Sequence, residues 1–211
     1  MTVQEAIATP APGESSERLI RQLGFACMGT AMLSSVVLGL LDLVHPVFAG
    51  GRYTLTPASP LQLWAYGFLQ VVKPLGFLCG LYGLFLTGTR RGPLVKLILG
   101  FATVGGAWYA VVWIMIAITQ RDDAIYVGTR AIGSDAHSNG GLLFLWLAPS
   151  VIGVATLLAG RIARWQAVWV VAVGVVGSQL FGLLKPGLAL MVEGILWLGL
   201  GWIVYASRRG A

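Results

Sequence analysis

The sequence predicts an all-α polytopic membrane protein, a bundle of six transmembrane helices with both termini cytoplasmic. Three observations predict it. Hydrophobic residues make up 57% of the 211, with 29 glycines besides, whereas soluble domains reach roughly 45–50% apolar with glycine included. Charged residues are only 10%, too few for a water-facing surface, which draws on about 25%. The cations, finally, fall in alternate loops, as the positive-inside rule requires. Cytosolic enzymes, DNA-binding domains, disulfide scaffolds and disordered tails are excluded together.

Residues 1–20 (MTVQEAIATPAPGESSERLI) read as a cytoplasmic tail, loose over 1–13. They lack the basic stretch running into an apolar core that marks a cleavable signal. Ser15 or Ser16 is expected to cap a helix that enters the bilayer from an interfacial turn. Stretches able to cross roughly 30 Å of hydrocarbon then cover 22–48, 62–87, 94–119, 141–160, 166–184 and 188–206. They form one transmembrane domain over 21–207, with a cytoplasmic C-terminus at 208–211. The block 166–206 would be about 61 Å long as a single helix, twice the membrane. Lys185-Pro186-Gly187 therefore divides it into a hairpin, because proline cannot continue the ladder and glycine permits a tight turn. Residues 61–72 have a second reading, as a re-entrant segment with the true span starting at Pro74. That leaves about 14 residues to cross, which is short.

One set of loops carries Arg18, Arg21, Arg90, Arg91, Lys96, Arg161, Arg164, Arg208 and Arg209; the other carries Arg52, Arg121, Arg130 and Lys185. Lys73 lies within a span and completes the fourteen. The poorer side also holds Asp122, Asp123 and Asp135. Nine cations against four place both termini inside, in a cytoplasmic (inner) membrane, multi-pass. The net charge of +6, which would suggest nucleic acid in a soluble chain, is thus explained by topology. The stretch Thr54 to Pro60 is a stiff outer loop, and 120–140, with GSDAHSNGG, reads as a solvated loop, with a binding or gating loop as the alternative. Tyr53, Trp64 and Tyr66 outside, and Trp165, Trp169, Trp202 and Tyr205 inside, suit interfacial anchoring. Gly76, Gly80 and Gly83, Ala102 and Gly106, and Gly174 and Gly177 suit close helix packing within one chain. The Lys-Pro pairs at 73–74 and 185–186 do not align into a convincing repeat.

Ionisable side chains within spans are costly and mark candidate sites by default. At 1.5 Å per residue, Asp42 lies close to the outer edge, Glu193 about 8 Å and Gln179 about 9 Å below it, Gln70 about 14 Å and Lys73 about 13–18 Å. Trp108 and Tyr109 come out at similar depth, as does Ser150 beside Pro149. The inner half offers small hydroxyls such as Thr30, Ser34 and Thr103. This asymmetry predicts a polar cavity open to the outer face, with Lys73 at its floor and Glu193 and Asp42 on its walls. Pro74 would leave the Gln70 carbonyl available as an acceptor. The alternatives are that Asp42 and His45 mark a helix end, and that Glu193 is a structural partner of Lys73 or Lys185.

Cys27 and Cys79 have no CxxC spacing, and His45 and His137 are the sole histidines. Thiol-disulfide chemistry, haem and metal sites are therefore not expected. No P-loop, GxSxG, HExxH or dinucleotide fingerprint occurs, so no cofactor and no catalytic residue is assigned. The leading expectation is a small-molecule binding or transport protein, with Lys73, Glu193, Asp42, Gln70, Gln179, Trp108 and Tyr109 forming the pocket. The alternative is a non-catalytic accessory or scaffold subunit whose glycine faces dock on a membrane-protein partner or a second copy. An enzyme acting on a lipid or membrane-embedded substrate comes third. The bilayer is the one certain partner class, and nucleic acid is not among the others.

Overall fold

In a computed structural model of the chain, the described residues are 12–44, 48–49, 54–55, 60–87, 92–119, 147–155, 158, 162–184 and 186–207. They are overwhelmingly helical. Helix α1 (Pro12–Ala31), a six-residue π-helical segment (Met32–Val37) and α2 (Leu38–Val44) follow one another without interruption. Then come α3 (Pro60–Leu86), α4 (Pro93–Thr119), α5 (Arg164–Leu183) and α6 (Pro186–Ala206). Residues 147–155 are helical as well. A minimal antiparallel ladder pairs β1 (Phe48–Ala49) with β2 (Thr54–Leu55).

Four helices are long and apolar enough to cross a membrane, over Ser15–Val44, Gly67–Leu86, Pro93–Val111 and Gly187–Ala206. They match the first, second, third and sixth expected spans. The fifth expected span is helical, with a shorter apolar run, Arg164–Gly177. Half of 141–160 lies outside the described residues, as do the 120–140 loop, both histidines and Lys185. The expected break in the final apolar block falls between Leu183 and Pro186, with proline in the favoured first helical turn.

Two local expectations change. Ser15 and Ser16 do not cap the first helix, which begins earlier, at Pro12, again a residue suited to the first turn. Residues 61–72 are not re-entrant, since α3 runs continuously from Pro60 to Leu86 with Pro74 in its interior. The ladder bond that Pro74 cannot donate is the one to the Gln70 carbonyl.

The core is built on α1, which lies against both α3 and α6. Its seam with α6 is made by glycine. Gly187, Gly194 and Gly201 recur every seven residues on α6 and meet α2 at Gly39, the π segment at Ser35 and Val36, and α1 at Gly24 and Met28. A Cβ added to Gly39 would lie 2.5 Å from the Gly187 carbonyl oxygen, and one added to Gly24 would lie 2.8 Å from that of Gly201. Backbone therefore meets backbone, the close approach that small residues permit in membranes. The pairing also fixes direction: the end of α2 meets the start of α6, so these helices are antiparallel. The end carrying Asp42 and Gly187 is called upper below, and the end carrying Arg18 and Tyr205 lower.

Helices α3 and α6 are parallel and in register. Lys73 meets Glu193, Phe77 stacks on Trp197 with ring centroids 3.9 Å apart, Gly80 faces Leu200, and Gly83 faces Val204. The steps of four and three residues are those of a coiled-coil seam. Along 67–87 and 187–207, buried and exposed positions coincide at an offset of 120 residues, except at Leu69 and Ala189. The last turns also match: the Thr87 hydroxyl donates to the Leu84 carbonyl at 2.7 Å and the Ser207 hydroxyl to the Val204 carbonyl at 2.9 Å. The two helices occupy equivalent environments although their sequences differ. The Lys-Pro pairs play no part in this equivalence, because the counterpart of Lys73 is Glu193.

Candidate functional site

The site is built where the parallel seam carries charge. Lys73 on α3 and Glu193 on α6 form an ion pair, Nζ to Oε2 2.5 Å, with side chains 1% and 0% exposed. Two unpaired charges at that depth would be prohibitively desolvated; together they offset each other's cost only while the geometry is held. Seam packing holds it. Phe77, one turn below Lys73, is fully buried and places its ring centroid 5.7 Å from Nζ, within cation–π range. Trp197, one turn below Glu193, closes the other side of the stack.

One turn above Lys73, Gln70 is also buried, and its Oε1 accepts a 2.6 Å hydrogen bond from the Tyr109 hydroxyl on α4. Tyr109 in turn meets the buried Trp113 edge-on, centroids 6.2 Å apart. Three helices thus contribute to one polar layer, and the contribution of α4 is neutral. Asp42 on α2 is 6% exposed, and its Oδ2 would be 3.2 Å from a Cβ on Gly187. Its carboxylate therefore sits against the first turn of α6, where the helix dipole favours negative charge. That location is the last turn of α2, about two turns above Glu193 along α6.

The structure thus brings together Lys73 with Glu193, and Gln70 with Tyr109, and adds Asp42 above them. Trp108 does not join them. It is exposed on α4, as expected for consecutive residues pointing about 100° apart on a helix. The backbone of Gln179 belongs to α5, but its side chain lies outside the described residues. Ser150, on the helical stretch 147–155, donates to the Val171 carbonyl of α5 at 3.4 Å. Trp169, expected as an interfacial anchor, instead packs on Gly199 and donates to the Leu196 carbonyl at 3.1 Å. Trp165 and Trp202 are exposed, consistent with anchoring.

A feature outside the sequence expectations is the π-helical segment of the first rod. It carries Ser34 and Ser35, both fully buried. Gly194, the neighbour of Glu193, faces Ser35 and Val36 so closely that an added Cβ would lie 3.0 Å from the Val36 nitrogen. The segment is therefore level with the ion pair. Ser34 donates back to the Thr30 carbonyl at 2.6 Å, a bond that loosens helices. The Ser35 hydroxyl, like the Trp197 indole nitrogen, is buried with no hydrogen-bond partner among the described residues. Short π segments recur at functional sites. Ser34, expected in the inner half, lies in this segment beside Ser35, at the level of Glu193.

Among the described residues no three His, Cys, Asp or Glu side chains converge as a metal would need. Cys27 donates weakly to the Trp197 carbonyl at 3.6 Å and is buried, and Cys79 is half-buried. Comparison with protein-family models, curated proteins and solved structures finds no match for this chain.

Proposed function

We propose that the chain is a six-span protein of the cytoplasmic membrane, N-in and C-in, that binds or transports a small solute at the Lys73–Glu193 layer. The observation that carries this reading is a fully buried ion pair within two apolar helices, flanked by a buried amide-phenol bond and a π segment. Intramembrane charges are expensive and mark pathways or ligand sites by default. In this reading the ion pair is the occluded, ligand-free arrangement, in which each charge stands in for the solute. A zwitterionic solute replaces the internal partner, its anionic group on Lys73 and its cationic group on Glu193. Gln70 and Tyr109 add neutral hydrogen bonds, and Asp42 selects at the upper end.

The test uses the charge-swapped variant Lys73→Glu with Glu193→Lys. Equivalent seam positions support its folding, yet it reverses the field that a bound solute meets. Purified protein in lipid nanodiscs is screened for thermal stabilisation by zwitterionic, anionic and cationic solutes. The expected result is stabilisation of the wild type by a zwitterionic solute, lost in the folded swap. Equal responses from both proteins would overturn the reading.

The second reading, an accessory or scaffold subunit, is supported by the glycine seam and the completeness of burial around the pair. It predicts that the swap retains association with a membrane-protein partner or a second copy, and that no solute response depends on Lys73 or Glu193.

A further inference from the structure

A second polar feature lies at the lower end, where α1 crosses the end of α6. The crossing is tight, since a Cβ on Gly24 would lie 2.7 Å from the Tyr205 nitrogen. Beside it opens a cleft of about 450 Å³ lined by Glu17, Arg18, Arg21, Gln22, Phe25 and Tyr205. Its chemistry is divided. Two guanidiniums and an amide lie on the first turns of α1, which hold the exposed Arg18, Arg21 and Gln22. Phe25, one turn further into the apolar run, is 68% exposed. Glu17 precedes Arg21 by four residues, the spacing and order that favour a same-face pair, so it can orient one guanidinium while the cleft keeps a net positive charge. Trp202, exposed on α6, contacts Tyr205 ring to ring with centroids 5.8 Å apart, as aromatic side chains do at the headgroup level.

We infer that this cleft is a binding site for an anionic phospholipid of the leaflet at the lower end. The guanidiniums take the phosphate, with the planar donor geometry that suits it. Gln22 and Tyr205 contact the polar headgroup, and the acyl chain descends along Phe25. Amphiphilic order identifies the ligand as a lipid: the cleft is cationic at the membrane boundary and apolar one helical turn inward, which a soluble anion does not exploit. The site rests on the basic, cytoplasmic assignment of this end and is independent of any solute at Lys73, about 18 Å away along α6 by helical rise.

The experiment compares wild type, Arg18→Gln with Arg21→Gln, and Lys96→Gln, all in nanodiscs of phosphatidylcholine doped with phosphatidylglycerol. Lys96 is exposed at the same end but outside the cleft. Lipid retained through mild delipidation is read by native mass spectrometry, and thermal stability is followed in parallel. A cation at the membrane surface contributes about fivefold in affinity for anionic lipid, so the double variant is expected to lose roughly 25-fold in phosphatidylglycerol retention and its selectivity over phosphatidylcholine. Lys96→Gln is expected to match the wild type. A short-chain phosphatidylglycerol should compete, whereas inorganic phosphate or glycerol phosphate at the same concentration should not. Equal losses in Lys96→Gln would show diffuse electrostatics, competition by free phosphate would show a plain anion site, and unchanged retention in the double variant would show no site; each overturns the inference. Because these arginines are exposed, the variants should fold. Phe25→Ser, which leaves the charge intact, should weaken long-chain more than short-chain lipid, and equal weakening would also overturn it.

Discussion

The equivalence of positions 73 and 193 makes the charge swap a quantitative test of the parallel seam. Lys73→Glu alone sets two carboxylates against each other in a layer with essentially no exposure. Removing one partner of a buried pair typically costs about 3–5 kcal/mol, and a like charge costs at least as much. For a chain of this length that corresponds to a fall of about 6–20 °C in melting temperature. Adding Glu193→Lys exchanges the same two side chains between matched positions, so summed volume and reach are conserved, and the residual cost should stay below about 1.5 kcal/mol. A Lys at 193 would also stand one turn above Trp197, the strongest cation–π face, as Lys73 stands above Phe77. Thermal unfolding of the four proteins in one detergent, followed by intrinsic tryptophan fluorescence, measures the cycle. The expected order is wild type close to the double variant and both well above either single variant. A double variant as unstable as the singles would refute the equivalence of the two helices and the in-register seam with it.

Gly39→Ala, Gly187→Ala and Gly201→Ala each push a methyl group into backbone and should cost about 1–3 kcal/mol. Gly29→Ala and Gly100→Ala, with nothing within 4 Å, should instead gain up to about 1 kcal/mol from helix propensity; the same melting assay distinguishes the two sets. Tyr109→Phe leaves the buried Gln70 oxygen without its 2.6 Å donor and should cost about 1–3 kcal/mol, largely restored by adding Gln70→Leu. Thiol labelling of the folded protein with a small methanethiosulfonate should modify Cys79, which is half-buried, well before Cys27, which is buried. Equal rates would refute the packing of Cys27 against α6.

Where a side chain was expensive for its surroundings, the sequence was readable. Lys73, Glu193 and Asp42 stand out in an apolar chain because each needs a partner; Lys73 is one of two lysines that the sequence offers Glu193, and depth counted along the helices sets the two at different levels where the seam makes them level. Helix existence followed from length and hydropathy, and the final break from Pro186 and Gly187. Other features carry no such mark. A π segment differs from α-helix only in its hydrogen-bond register, and MLSSVV has nothing compositional to show it. The kinship of α3 and α6 is a matter of shared environment, since Gly80 opposite Leu200 and Lys73 opposite Glu193 resemble each other in nothing but position. Trp169 was misjudged because a tryptophan near a span end fits an interface as well as it fits the surface of Gly199. Gly187, Gly194 and Gly201 were not among the glycines expected to pack closely, although their recurrence stands in the sequence. Seven-residue spacing of glycine is the trace of a seam in which one helix meets another along its length.

The seams around the ion pair differ in what meets across them. Between α1–α2 and α6, carbonyl oxygens sit where side chains would otherwise intervene, at Gly39 with Gly187 and at Gly24 with Gly201, so sliding there drives backbone into backbone. Between α1 and α3 side chains meet glycine, with Thr30 on Gly76, Cys27 on Gly80 and Leu23 on Gly83; Thr30 approaches with its Cβ, which no rotamer change moves, so this seam is close as well. Helix α4 is tied to α3 by Tyr109 with Gln70 and by the 3.1 Å bond between the Tyr82 and Thr103 hydroxyls, so these two tend to move together. Helix α1 therefore holds α3 and α6 alike, and the ion pair and the Phe77–Trp197 stack lie where α3 and α6 meet directly. Separating α3 from α6 would part the charges and unstack the rings together. A solute that satisfies both charges would lower the cost of that separation, a dependence that the binding reading requires and the scaffold reading does not.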